Sequence, residues 1–143
     1  MNDGKNDGQE KFNNDNVEFR AAFSGERHNH LWGYELWIEN NSKYCCKLLV
    51  LNKGFESSWH YHKRKDETFV ILEGQVSLIY ANGLDTRSQA VVLEKGEKFR
   101  LEPGVVHTFK SLAQKSIVME ISTTDDDDNI KLRPARKLSG SDD

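Results

Sequence analysis

His60 and His62 stand two residues apart, Glu67 follows them, and Gly54 and Gly74 bracket all three in the stretch GFESSWHYHKRKDETFVILEG. On an extended strand successive side chains alternate faces, so the two imidazoles project to one side and Trp59 and Tyr61 to the other. The turn Lys63-Arg64-Lys65-Asp66 bends the chain, and Glu67 opens the next apolar run, where its carboxylate can swing toward the same point. A fourth candidate is His107 in GEKFRLEPGVVHTFKS, where Pro103-Gly104 forces a tight turn ahead of a new strand. Imidazole and carboxylate are ligands for divalent transition metals, and manganese, zinc, iron and nickel all suit this set. Three histidines and one glutamate leave exchangeable positions on an octahedral ion, the mark of a metal that does chemistry or grips a ligand. An isolated H-x-H is more often an ordinary core or surface pair, and it is the joint spacing that carries the metal reading. His28 and His30 form a second H-x-H in the polar stretch GERHNH ahead of the first apolar run, and are read as loop residues.

These groups need a scaffold of strands. Apolar residues come in short runs bounded by turn signals: 31–38, 45–51, 68–72, 76–81, 90–93, 98–101, 107–112 and 116–122. Gly74, Gly83, Gly96 and Gly104 punctuate them, and no helical period of useful length occurs. This pattern predicts an all-β fold, a sandwich or small barrel. Residues 1–18 are too polar to offset ordering entropy and are expected to form a flexible arm, leaving a β-domain over 19–124. Residues 125–143, with Asp125 to Asp128 followed by a basic stretch, are expected to be a polar, charged tail.

The chain has 143 residues, room for one domain, and a formal net charge of −3. That balance gives no global field for nucleic acid or anionic lipid, so the expected partner is a small molecule. No apolar run approaches a spanning helix or a signal segment, and a cytoplasmic location is expected. Cys45 and Cys46 are adjacent, which on a strand points them to opposite faces and disfavours a mutual disulfide.

The two clusters resemble the signature motifs of the cupin superfamily. His60, His62, Glu67 and Gly74 fit the first motif. In the second, Gly96, Gly104 and His107 keep their places, while Glu102 stands where a proline is usual, Pro103 takes a free position and Ser111 replaces an asparagine. The resemblance implies a small jelly-roll β-barrel, often a homodimer, with the metal inside its mouth. Trp32-Gly33 before the barrel and Asp127 to Leu132 after it are similar to the sugar-handling cupins of the mannose-6-phosphate isomerase and lyxose isomerase type. That likeness implies a sugar or sugar phosphate as ligand.

For an aldose–ketose isomerase, the metal would act as Lewis acid and a carboxylate would move a proton between adjacent carbons. Glu120 is the candidate catalytic base: with Ile117, Met119 and Ile121 on one strand face, Val118, Glu120 and Ser122 share the other, and burial would raise its pKa. Lys63, Arg64 and Lys65 are candidates to take a phosphate. Trp59, Tyr61, Phe69 and Phe109 are candidates to stack on a sugar. The alternatives are a non-catalytic carbohydrate-binding cupin and a metal-dependent dioxygenase.

Overall fold

A computed structural model of the protein describes residues 23–84 and 86–139; the expected arm, residues 1–18, lies outside the described residues. The strands are β1 (Glu26–His30), β2 (Gly33–Asn40), β3 (Cys45–Asn52), β4 (Phe55–Glu56), β5 (Trp59–His62), β6 (Glu67–Glu73), β7 (Gln75–Ala81), β8 (Gln89–Glu94), β9 (Lys98–Leu101), β10 (Val106–Ser111), β11 (Lys115–Ser122), β12 (Asn129–Arg133) and β13 (Arg136–Lys137). They form a six-stranded sheet in the order β1-β2-β3-β11-β6-β9, a five-stranded sheet in the order β12-β5-β10-β7-β8, and the small pair β13-β4. All pairings are antiparallel, and the arrangement is the expected all-β jelly roll.

Period-two patterning explains which way each strand faces. In β6, Glu67, Phe69 and Ile71 are buried while Thr68 and Val70 between them are half-buried. The core joins Leu49, Leu51, Phe69, Ile71 and Val118 of the six-stranded sheet to Val76, Leu78 and Phe109 of the other. A second apolar cluster, Leu48 and Ile117 with Leu36, Ile38, Leu72 and Met119 around them, occupies the opposite face of the six-stranded sheet.

The turn that delivers His107 forms despite the displaced proline. Val105 N–H donates to Glu102 O at 3.1 Å across Pro103 and Gly104, and Gly104 takes φ +89°. Proline second and a positive-φ glycine third is the sequence a type II turn requires. Gly104 N–H also donates to His62 O at 2.8 Å, tying this turn to the first histidine pair. Ser111, in the place of the usual asparagine, donates to Ala113 O and bonds Ser116 Oγ at the other end of β10.

Two expectations are corrected. His28 and His30 lie on β1, paired with β2, and not in a loop. That strand escapes an apolar pattern because its inward face borders a polar cavity. The segment from 125 onward contributes β12, paired with β5, and β13, paired with β4. It is held by polar contacts: Glu56, buried, accepts from Arg133 Nη2 at 3.1 Å and Arg136 Nε at 2.9 Å. Cys45 and Cys46 are both free. No helix among the described residues is long and apolar enough to cross a membrane.

Candidate metal centre and its cavity

β5 and β10 are neighbours, and His60 pairs with His107 across them, so one ladder rung brings the two motifs together. His62 follows two residues on, facing the same way. One ligand nitrogen from each of the three histidines lies within 4.8 Å of the others. Glu67, at the start of β6 on the facing sheet, completes the group: its Oε2 is 3.4 Å from His62 Nε2 and 3.2 Å from His107 Nε2. All four side chains are buried. The four sequence candidates therefore meet at one point.

The far side of each ring is fixed. His60 Nδ1 lies 2.9 Å from Ser58 O and 2.9 Å from Ser58 Oγ, His62 Nδ1 3.1 Å from Asp128 Oδ1, and His107 Nδ1 2.9 Å from Val105 O. An acceptor at Nδ1 selects the tautomer with its proton there and leaves the Nε2 lone pair free, the form in which imidazole binds metal. Glu67 Oε2 then has no hydrogen-bond partner, and it is the sole such buried side-chain atom among the described residues. Orphaned buried acceptors are rare and need an explanation, and a cation shared with the three nitrogens supplies one.

At His60, His62 and Glu67 electrostatics favours the same protonation states. Burial, followed by the neighbouring His107, lowers the His60 pKa to about 3. Burial also lowers His62, against the opposing pull of Glu67. For Glu67 burial alone would raise the pKa, but His107, Lys65 and His62 together hold it below the usual carboxylate range. Neutral imidazoles and an ionised carboxylate are the states that accept a divalent ion. The residues present thus fit the metal that their types and spacing imply.

A charged network adjoins this centre. Lys65 Nζ lies 2.7 Å from Glu120 Oε2, 3.6 Å from Glu67 Oε1 and 3.4 Å from Asp125 Oδ2. Lys47 pairs with Asp125, stands 3.8 Å from Glu35 Oε1, and covers the Trp37 ring at 3.8 Å. Glu35 in turn is 3.4 Å from His30. Burial, which opposes the charge on Lys65, is outweighed by Glu120 and Glu67, and its pKa is raised. Glu120 is also raised, by burial first and then by Glu67, with Lys65 and Lys47 opposing. Burial is overcome at Glu35 by His30 and Lys47, and at Asp125 by Lys47 and Lys65; both fall to about 2.

Metal centre and network line one cavity of about 610 Å³. Glu120 faces it, as strand alternation requires, and so do Phe69 and Phe109. Two expectations fail here. Trp59 and Tyr61 lie on the outward side of β5, and the tryptophans that line the cavity are Trp32 and Trp37. Lys65 is buried in ion pairs, and Arg64 is exposed and paired with Asp126, so neither is a free phosphate ligand. His28 and His30 line the cavity, stacked on Trp37 and Trp32 at 4.5 and 4.6 Å between centroids, outside the three-histidine group. Asp128 and Asp125 were missed because an acidic run in a polar segment looks solvated; H-x-H neighbours in space leave no local sequence signal.

The family model described as a cupin domain matches residues 47–122. A D-lyxose/D-mannose isomerase of Thermosediminibacter oceani is 30% identical over 112 residues, which cover 63% of this chain and 61% of that protein. The chain thus matches less than two thirds of that relative's length. Among solved structures, the capsular polysaccharide assembling protein CapF of Staphylococcus aureus superposes with a TM-score of 0.64 at 13% identity, covering 79% of this chain and 34% of CapF. KdgF from Halomonas sp. does so with a TM-score of 0.62 at 14% identity, covering 72% of this chain and 89% of KdgF. At these identities the two structures share the fold.

Proposed function

This chain belongs to the cupin family, and from that premise we propose that it holds a divalent transition metal on His60, His62, Glu67 and His107 and isomerises a small unphosphorylated sugar in the adjoining cavity. The observation that carries the reading is the placement of Glu120: a carboxylate of raised pKa, buried in the cavity wall and linked through Lys65 to the ligand Glu67. A divalent cation held by His60, His62, Glu67 and His107 would supply Lewis acidity toward the carbonyl of an open-chain sugar.

Lys65 engages Glu120 Oε2 and leaves Oε1 as the proton acceptor. In its ionised form Glu120 takes the proton from C2 of an aldose, exchanges it with solvent and delivers a proton to C1, while the O2 hydroxyl proton passes to O1, giving the ketose. Phe69 and Phe109 offer apolar surface for the sugar's C–H faces, and Glu35 and Asp125 offer acceptors for its hydroxyls. The carboxylates that line the cavity, Glu35, Glu67, Glu120, Asp125, Asp126 and Asp127, outnumber its lysines, Lys47, Lys65 and Lys131, and Lys47 and Lys65 are each held by carboxylates, so a phosphate would meet net negative charge. This favours D-lyxose and D-mannose, the sugars in the name of the Thermosediminibacter relative, over their phosphates.

The test is to load the protein with Mn2+, incubate it with each sugar and its phosphate in deuterium oxide, and follow the ketose and its deuterium by NMR. Ketose carrying solvent deuterium is expected from the free sugars, and Glu120→Gln should reduce turnover by roughly 10²- to 10⁴-fold with metal content unchanged. A melting-temperature rise with sugar but no ketose would replace this reading with a non-catalytic carbohydrate-binding cupin. Oxygen uptake with Fe2+ would replace it with a dioxygenase. His60→Ala with His62→Ala should empty the site by elemental analysis.

A further inference from the structure

We infer that Asp128, six residues beyond the family match at 122, is the positioning residue of the metal centre, so that the segment after the barrel is part of the site. The inference rests on the metal reading above. Asp128 is buried, and both of its oxygens are engaged. Oδ1 accepts from His62 Nδ1 at 3.1 Å, while Oδ2 accepts the backbone N–H groups of Arg64 at 2.6 Å and Lys65 at 3.0 Å.

Those amides belong to the turn between the H-x-H strand and Glu67. One carboxylate therefore orients a ligand ring and also shapes the loop that joins two ligands. Backbone pairing holds it in place: Asn129, its neighbour, is the Cα partner of His62 in the β12–β5 ladder, and Lys63 N–H donates to Asp128 O at 3.4 Å. The adjacent Asp126 differs, being exposed and in contact with Arg64.

An asparagine here separates the two tasks. Its amide oxygen can stay on the Arg64 and Lys65 amides, which preserves the turn, but its NH2 then faces His62 Nδ1. Two donors cannot face each other, so the His62 proton moves to Nε2 and blocks the lone pair meant for metal. A ring carboxylate partner typically changes metal affinity by 10- to 100-fold.

The experiment compares full-length wild type, Asp128→Asn and Asp126→Asn. Mn2+ affinity is measured by chelator competition and the Co2+ ligand-field spectrum is recorded alongside. Asp128→Asn should lose roughly 10- to 100-fold in Mn2+ affinity and show an altered Co2+ spectrum, whereas Asp126→Asn should match wild type. Mn2+ affinity and Co2+ spectrum of Asp128→Asn equal to wild type would overturn the inference and leave the metal reading standing. Wild type that takes up neither ion removes both. Should Asp128→Asn fail to fold, long-range nitrogen–proton NMR on the metal-free wild type decides: His62 protonated at Nδ1 supports the inference, and at Nε2 overturns it.

Discussion

Lys65 is the residue on which ligand and base depend together. It is a buried ammonium within reach of Glu120, Glu67 and Asp125, and burial of both partners makes the pair unlike a surface ion pair. Removing one member of a buried pair leaves the other charge without compensation, a change that typically costs about 3–5 kcal/mol. Lys65→Met should therefore lower stability by about that amount in urea unfolding. Adding Glu120→Gln should recover part of the loss, because the second change removes the carboxylate the first one stranded. A cost below about 1 kcal/mol would mean that water reaches the pair and screens it. The sequence places Lys65 in a basic turn, and three like residues in a row carry no sign of which one turns inward. What selects it is geometry: the two backbone amides held by Asp128 orient the turn so that Lys63 and Arg64 stay outside.

At the scale of elements, the motif's closing glycine has a steric cause. Gly74, between β6 and β7, takes φ +88°, and a Cβ there would lie 2.3 Å from Ser116 Oγ and 2.9 Å from Lys115 O. Left-handed strain for a non-glycine residue costs of order 1–3 kcal/mol before any clash. Gly74→Ala should thus lower the urea midpoint by that much or more and leave Mn2+ affinity unchanged, since Gly74 does not line the cavity. Parallel loss of affinity would show that the hairpin supports the site. The strands around it were legible as short apolar runs bounded by glycine turns, because β3, β6 and β11 carry apolar residues on both faces of their sheet. The four ligands were legible because two of them share a strand and the third is announced by a proline-glycine turn. Legibility fails where the inner face is polar. β1 presents His28 and His30 to the cavity and reads as loop, and the segment from Asp125 to Asp128 finds its partners on residues some sixty positions earlier, a distance over which sequence carries no pattern.

Over the whole molecule, half-buried, ion-paired carboxylates set the response to acid. Glu35 and Asp125 have folded pKa values of about 2, below their ordinary values of 4.5 and 3.8. A depressed carboxylate contributes stability that is present above its unfolded pKa and is lost as pH falls through the folded one. Urea midpoints should accordingly fall between about pH 5 and pH 2, and Glu35→Gln should be destabilising at pH 7 yet close to wild type at pH 2. An equal deficit at both pH values would assign the loss to packing. The outer face of the six-stranded sheet is apolar at its centre. An antiparallel sheet that faces water ordinarily alternates with polar residues. Here Leu36, Ile38, Leu72 and Met119 surround Leu48 and Ile117, and Ile121 projects beside them, half exposed. Arg27, on β1, and Lys98 and Arg100, on β9, flank this apolar centre from the two sheet edges, the layout of an interface with a polar rim. We propose that two copies pack face to face here as a homodimer. Sedimentation should find wild type as a dimer at micromolar concentration, and Ile121→Lys should release monomers whose Mn2+ affinity matches the parent, because the altered side chain points away from the cavity. Wild type that sediments as a monomer, or a variant that stays dimeric, would rule out this face.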